Sequence, residues 1–144
     1  MDSNWQGTQP QGRFPLPVRK ESTLKLSLET RNRGDAIIVH CQGRIVYRDE
    51  AAALSRLVGD VMTQARKLVL DLSGVSSIDS AGIGELALLY TWSQREKVDL
   101  KVAGPNPFVR NLLGLTNLDS VLEIHPSVEN AMEAFDEDGV CADC

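Results

Sequence analysis

The run Val-Leu-Asp-Leu-Ser-Gly-Val-Ser-Ser-Ile-Asp-Ser-Ala-Gly-Ile-Gly at residues 69–84 constrains the fold of this chain more than any other stretch. With Leu68 it opens on an aliphatic-rich segment of strand length, which suits an interior strand covered by helices on at least one face. A hydroxyl-rich turn follows. Ile83, Leu86, Ala87 and Tyr90 then share one helical stripe, broadened by Leu88 and Leu89. This strand-to-helix junction sets Ser80 at a helix N-terminus, with its hydroxyl near unpaired backbone N–H groups and the positive end of the helix dipole. Such a setting tolerates a phosphate, so Ser80 is the leading candidate for a switch.

The same change of period recurs along the chain. Leu24, Leu26 and Leu28 alternate with polar residues, and Ala36 to Cys41 and Arg44 to Tyr47 form two further β-rich runs separated by Gln42-Gly43. Leu54, Leu57, Val58, Val61, Met62 and Ala65 then lie on one helical face, predicting a helix from Glu50 to near Lys67. Val98, Leu100 and Val102 alternate again, Gly104-Pro105 breaks the strand, and Phe108 to Leu113 makes a short helix closed by Gly114. Val121 to Ile124 is a last strand, and Val128, Ala131, Met132 and Phe135 share the face of a last helix after Pro126. Hairpin-connected strands followed by strands joined through helices predict an α/β sandwich on a mixed sheet.

A chain of 144 residues, 42% of them hydrophobic, fits one core plus tails. Residues 1–21, rich in Gln, Gly, Asn and Pro, read as a flexible arm, residues 22–135 as the domain, and residues 136–144 as an acidic C-terminal tail. A net charge of -5 argues against nucleic acid as a partner. No apolar stretch is long enough to cross a bilayer and the N-terminus has no h-region, which predicts a cytoplasmic protein without direct membrane insertion. The three cysteines, Cys41 in a strand and Cys141 and Cys144 at the C-terminus, make no disulfide framework. Cys141-x-x-Cys144 lacks the second pair of a metal site, and His40 and His125 lie in strand positions without ligand spacing, so no metal or cofactor is expected. Gly82 and Gly84 lack the Lys-Ser or Lys-Thr of a phosphate loop and suit close packing of the helix start.

Residues 68–86 resemble the signature of the STAS family, the domain of bacterial anti-sigma factor antagonists. The likeness extends over about residues 22–135 through the element order, the Gly43 to Leu54 stretch and Val-Ala-Gly-Pro-Asn at 102–106. It implies a STAS-like sandwich with a mixed four- to six-stranded sheet and about four to five helices. It also implies a non-catalytic regulator of transcription that works by partner switching. In that family the unphosphorylated antagonist binds an anti-sigma factor that is also a serine kinase and so frees a sigma factor, and a phosphatase resets the cycle. The family's phosphoacceptor falls by motif on Ser80, after Asp79. The docking surface implied comprises Asp79, Ser80, Ala81, Gly82, Ile83 and Gly84. Ala81 stands where many relatives carry a second hydroxyl, and Arg44 where many carry an acid.

Each of these residues also has a plainer reading. Ser80 is a favoured N-cap residue, and the cap and the phosphoacceptor are compatible roles. Asp79 either ends the strand or orients the Ser80 hydroxyl. Ser73, Ser76 and Ser77 suit turn and strand-edge hydroxyls, with a secondary role as acceptors. Trp92 either anchors a partner or packs on a neighbouring helix. STAS-like domains also serve as small subunits of lipid-transporting ABC systems, a second functional reading that needs no phosphate cycle. An enzyme using Ser80 as nucleophile would need a base, and neither histidine is near it in sequence.

Overall fold

Strands from both halves of the chain meet in one sheet in the computed structural model, which describes residues 26–46 and 48–143, with side chains as far as Asp136. The strands are β1 (Leu26–Arg33), β2 (Ala36–Ile45), β3 (Lys67–Ile78), β4 (Asp99–Ala103) and β5 (Glu123–His125). The helices are α1 (Arg48–Met62), α2 (Ser80–Glu96), α3 (Pro107–Leu115) and α4 (Val128–Asp143), with one 3-10 turn at Leu118–Ser120. The sheet is mixed, as expected: β1 pairs antiparallel with β2, and β2 through β5 are parallel and lie side by side in chain order. Gly34, at φ +61, makes the tight β1–β2 turn that a residue with a Cβ would resist.

Neighbouring parallel strands joined by right-handed crossovers must place all their connecting helices on the same face. Accordingly, α1, α2 and α3 cover one face of the sheet. Val39 and Cys41 of β2, Leu68, Leu70 and Leu72 of β3, and Leu100 and Val102 of β4 point into that core against Leu54, Val58, Leu86, Leu89, Val109 and Leu113. The alternate residues Ala36, Ile38, Val69 and Ala103 point to the other face, where Ala131 and Phe135 of α4 cover them. Lys101 shares that second face, fully buried, with Nζ 2.7 Å from Glu123, 3.4 Å from Asp99 and 4.8 Å from the centroid of Phe135. The aromatic ring and two carboxylates offset the cost of burying its charge.

Several element boundaries differ from the sequence expectation for identifiable reasons. The runs 36–41 and 44–47, read as two strands, are one strand through Ile45. Register shifts at His40/Gln42 and Gly43/Arg44, with Gly43 at φ +118, carry it across Gln42-Gly43 where a break was expected. Residues 73–78, read as a turn, continue β3 because β2 keeps pairing with them as far as Ile78. Helix α1 stops at Met62, where Thr63 turns back to donate Oγ1 to the Asp60 carbonyl at 2.7 Å. The backbone of α4 runs on past Asp136, where the tail was placed, to Asp143. The arm at 1–21 lies outside the described residues.

Candidate functional site

The hydroxyl-bearing end of β3 projects beyond one of its neighbours. Pairing with β4 ends at Asp71 opposite Ala103, whereas pairing with β2 continues to Ile78 opposite Ile45. The carbonyls left bare on the β4 side need partners, and Asn106 supplies them. Its Nδ2 donates to Val75 O at 3.1 Å and Ser76 O at 3.4 Å, while its Oδ1 accepts from Val109 N at 2.8 Å and caps α3. One side chain therefore ties the start of α3 to the end of β3. On the other side Asp79 N donates to Ile45 O at 3.2 Å, so the strand end is held from both flanks.

Asp79, not Ser80, is the N-cap of α2. Its Oδ1 accepts from Ala81 N at 3.0 Å and Gly82 N at 3.2 Å, and its carbonyl accepts the first helical bond from Ile83 N at 2.9 Å. A carboxylate is a strong acceptor and also complements the helix dipole, so it takes the position that serine would otherwise fill. Ser80 is thereby shifted to the first helical residue. It is exposed, and among the described residues no hydrogen bond holds its hydroxyl. The first-turn amides expected beside that hydroxyl are already taken by Asp79, leaving Ser80's own N–H as the remaining first-turn donor.

The residues around Ser80 divide sharply by exposure. Gly82 is buried, and a Cβ there would lie 2.5 Å from Ile45 O and 2.5 Å from Ile78 Cγ1, so α2 sits directly on the ends of β2 and β3. Gly84 is exposed, with nothing within 4 Å of a Cβ. Close packing at the helix start thus explains Gly82 alone. Ala81 and Ile83 are half-buried against the main core. Glu85, on the next turn, buries its Oε1 with no hydrogen-bond partner among the described residues. Trp92 is half-buried on α2, its ring edge 3.5 Å from where a Cβ added at Gly59 of α1 would lie, which is the packing alternative of its two readings.

The other candidate serines precede the junction along β3, and the histidines lie elsewhere on the sheet. Ser73, Ser76 and Ser77 are strand residues, and Ser76 donates Oγ to Gly43 O at 3.3 Å. His125 pairs through Nε2 with Glu123 at 2.7 Å. Burial works to raise the Glu123 carboxyl, but the hydrogen bonds from Lys101 and His125 outweigh it and leave the group below its ordinary value. Burial, reinforced by the nearby Asp71 charge, pushes the Cys41 thiol up to about 12. Among the described residues no group of three His, Cys, Asp or Glu side chains could hold a metal, and no helix is long and apolar enough to cross a membrane.

The sheet is mixed with its strands in chain order and its crossover helices on one face, and an exposed serine stands where the long central strand enters its helix. The family model described as STAS domain matches residues 27–131, and the chain belongs to that family. It is similar to the anti-sigma-F factor antagonist RsfA of Mycobacterium tuberculosis, 25% identical over 125 residues that cover 85% of this chain and 94% of that protein. Among solved structures, an anti-sigma factor antagonist from Mycobacterium paratuberculosis superposes with TM-score 0.69 at 27% identity, covering 76% of this chain and 92% of that one. The unphosphorylated form of the anti-sigma factor antagonist SpoIIAA shares the fold at TM-score 0.58 and 15% identity, over 77% of this chain and 97% of that one.

Proposed function

We propose that this protein is an anti-sigma factor antagonist switched at Ser80: unphosphorylated, it binds an anti-sigma factor that is also a serine kinase and so frees a sigma factor, and phosphorylation of Ser80 ends that binding. The observation that carries this reading is the free, exposed hydroxyl of Ser80 on a helix start fixed by the Asp79 cap, in a chain whose relatives are named as anti-sigma factor antagonists. The domain itself supplies no catalysis. The partner brings ATP, Ser80 Oγ attacks the γ-phosphorus, the bond to the bridging oxygen breaks, ADP leaves, and the hydroxyl proton passes to a base on the partner.

The effect of the phosphate follows from charge. It adds about -1.5 to -2 units and three acceptor oxygens. Because Asp79 already occupies the Ala81 and Gly82 amides, the helix start offers little to neutralise the new charge, and the adjacent carboxylate repels it. The dianion therefore faces outward into a docking surface of Asp79, Ser80, Ala81, Ile83 and Gly84, from which Gly82, expected there from the motif, is withdrawn by its burial against Ile45 and Ile78. Docking is lost while the fold persists. The test is to incubate the chain with candidate anti-sigma serine kinases and ATP, map the phosphate by mass spectrometry, and compare partner binding of Ser80→Ala and Ser80→Asp. Phosphate on Ser80 with binding retained by Ser80→Ala and lost by Ser80→Asp is the expected result. Phosphate elsewhere, or equal binding by the two variants, overturns it.

A further inference from the structure

Ser80 shares its side of α2 with apolar residues. The buried face of that helix is formed by Gly82, Leu86, Leu89 and Ser93. Trp92, packed toward Gly59, marks the flank that meets α1. At about 100° per residue, Ser80, Ile83 and Ala87 fall together on the opposite flank, as i, i+3 and i+7. The strands lie in chain order and each helix crosses between neighbouring strands, so α2 lies between α1 and α3 and this second flank is the one turned toward α3. Ile83 and Ala87 are half-buried there, and Ser80 is exposed at the head of the row.

The side of α3 turned toward α2 is apolar as well. Val109 and Leu113 already supply that helix's buried face. Gly114 points toward the 3-10 turn that leads into the edge strand β5, with Asp119 Oδ2 3.4 Å from where a Cβ added to it would lie. Phe108, Leu112 and Leu115 fall on the other flank, as i, i+4 and i+7. Phe108 is 53% exposed, and Leu112 is half-buried one turn below it. Single exposed apolar side chains are ordinary, but a row of them on a helix whose core face is already filled is not. Asn106 fixes where the row begins. It caps α3 while donating to the Val75 and Ser76 carbonyls, so Phe108, two residues on, stands at the same end of the sheet as Ser80.

We propose that Phe108 is the apolar anchor on which the anti-sigma factor docks, the partner spanning the starts of α2 and α3 and enclosing the Phe108 ring beside Ser80. This rests on the reading of Ser80 given above and adds to it a residue outside the strand-to-helix junction. The occupant follows from continuity, because the flank that carries the phosphoacceptor is the flank that the α3 row faces. It follows also from size, since a stable interface covers about 800 Å² on each partner, more than the few residues of the junction supply. A phosphate on Ser80 then stands at the edge of an apolar contact from which water is excluded, where an unpaired charge is most costly. The test is calorimetric titration of the anti-sigma serine kinase that modifies this chain against the parent, Phe108→Ala and Phe108→Leu. Val121→Ala, which trims a side chain 46% exposed beyond the 3-10 turn, is the control. Phe108→Ala should weaken binding by about tenfold or more, with Phe108→Leu recovering most of the loss and Val121→Ala binding as the parent does. Phe108 is exposed, so all the variants should keep the parent's circular dichroism and melting temperature. Parent-like binding by Phe108→Ala, or an equal loss in Val121→Ala, overturns the proposal and leaves the Ser80 switch standing if the phosphorylated parent still fails to bind. A parent that binds no such kinase overturns both.

Discussion

Two glycines two residues apart on α2 should answer the same substitution with opposite signs. In Gly82→Ala the new methyl meets a backbone carbonyl and a buried isoleucine at 2.5 Å each, closer than real Cβ contacts come. The oxygen belongs to Ile45, which is locked in β2 and already bonded to Asp79 N at 3.2 Å, so it cannot withdraw without releasing the strand end. Overpacking of this kind costs about 1–3 kcal/mol or more, against about 1 kcal/mol gained from replacing glycine inside a helix. The 2.5 Å approaches put the cost at the upper end of that range, so a net loss of up to about 2 kcal/mol lowers the melting temperature by as much as roughly 4–8 °C in a chain of this size. In Gly84→Ala the methyl meets nothing within 4 Å, so only the helix-propensity gain remains. Stability should rise by about 0.5–1 kcal/mol, or roughly 1–4 °C. Urea and thermal unfolding of the two variants beside the parent measure both. A Gly82→Ala protein as stable as the parent would mean that α2 does not rest on Ile45 and Ile78, and the reasoning about how Ser80 is presented would fail with it.

Asp79→Ala removes the cap and should lower stability by about 1 kcal/mol, whereas Asp79→Asn, which keeps an acceptor at the same place, should lose much less; chemical denaturation separates them. Asn106→Asp retains the α3 cap but cannot donate to Val75 and Ser76, so hydrogen exchange at the end of β3 should accelerate while α3 stays protected. Because Glu123 titrates below its ordinary carboxylate range in the folded state, its contribution is present above the unfolded value and lost as pH falls through the folded one. The urea midpoint should therefore drop below about pH 4.5, and less steeply in Lys101→Met, which removes the main hydrogen-bond donor while refilling the space. Cys41, buried with its thiol pushed up to about 12, should resist iodoacetamide in the folded protein and react only on unfolding, as peptide mass spectrometry would show.

Much of this architecture is legible in the residues because period and burial agree. The aliphatic run at 68–72, the helical stripes of α1 and α2, and the final helix under Phe135 each bury the side the pattern selects. Boundaries are less legible where tertiary pairing overrides local chemistry. Gln42-Gly43 and the serines at 73–77 have turn composition, yet β2 and β3 carry each other through them by hydrogen bonding that no local window contains. The cap is a contest between adjacent residues: Asp79 and Ser80 are both good N-cap types, and the close seating of Gly82 on Ile45 sets which one falls at the junction. Lys101 alternates with apolar neighbours as an exposed residue would, and only the arrival of α4 on that face buries it. His40 and Asp71 are thirty-one residues apart in sequence and meet through strand register alone.

The central claim is that the state of one hydroxyl decides whether a partner protein can sit on the start of α2. Its most direct test is isothermal titration calorimetry of a cognate anti-sigma factor against the unmodified chain and against the chain phosphorylated at Ser80, at one ionic strength. The account predicts that phosphorylation weakens binding by at least about tenfold, a loss of about 1.4 kcal/mol or more, while circular dichroism of the two forms stays the same. Equal affinity of the two forms, or loss of affinity accompanied by loss of the folded signal, would contradict it.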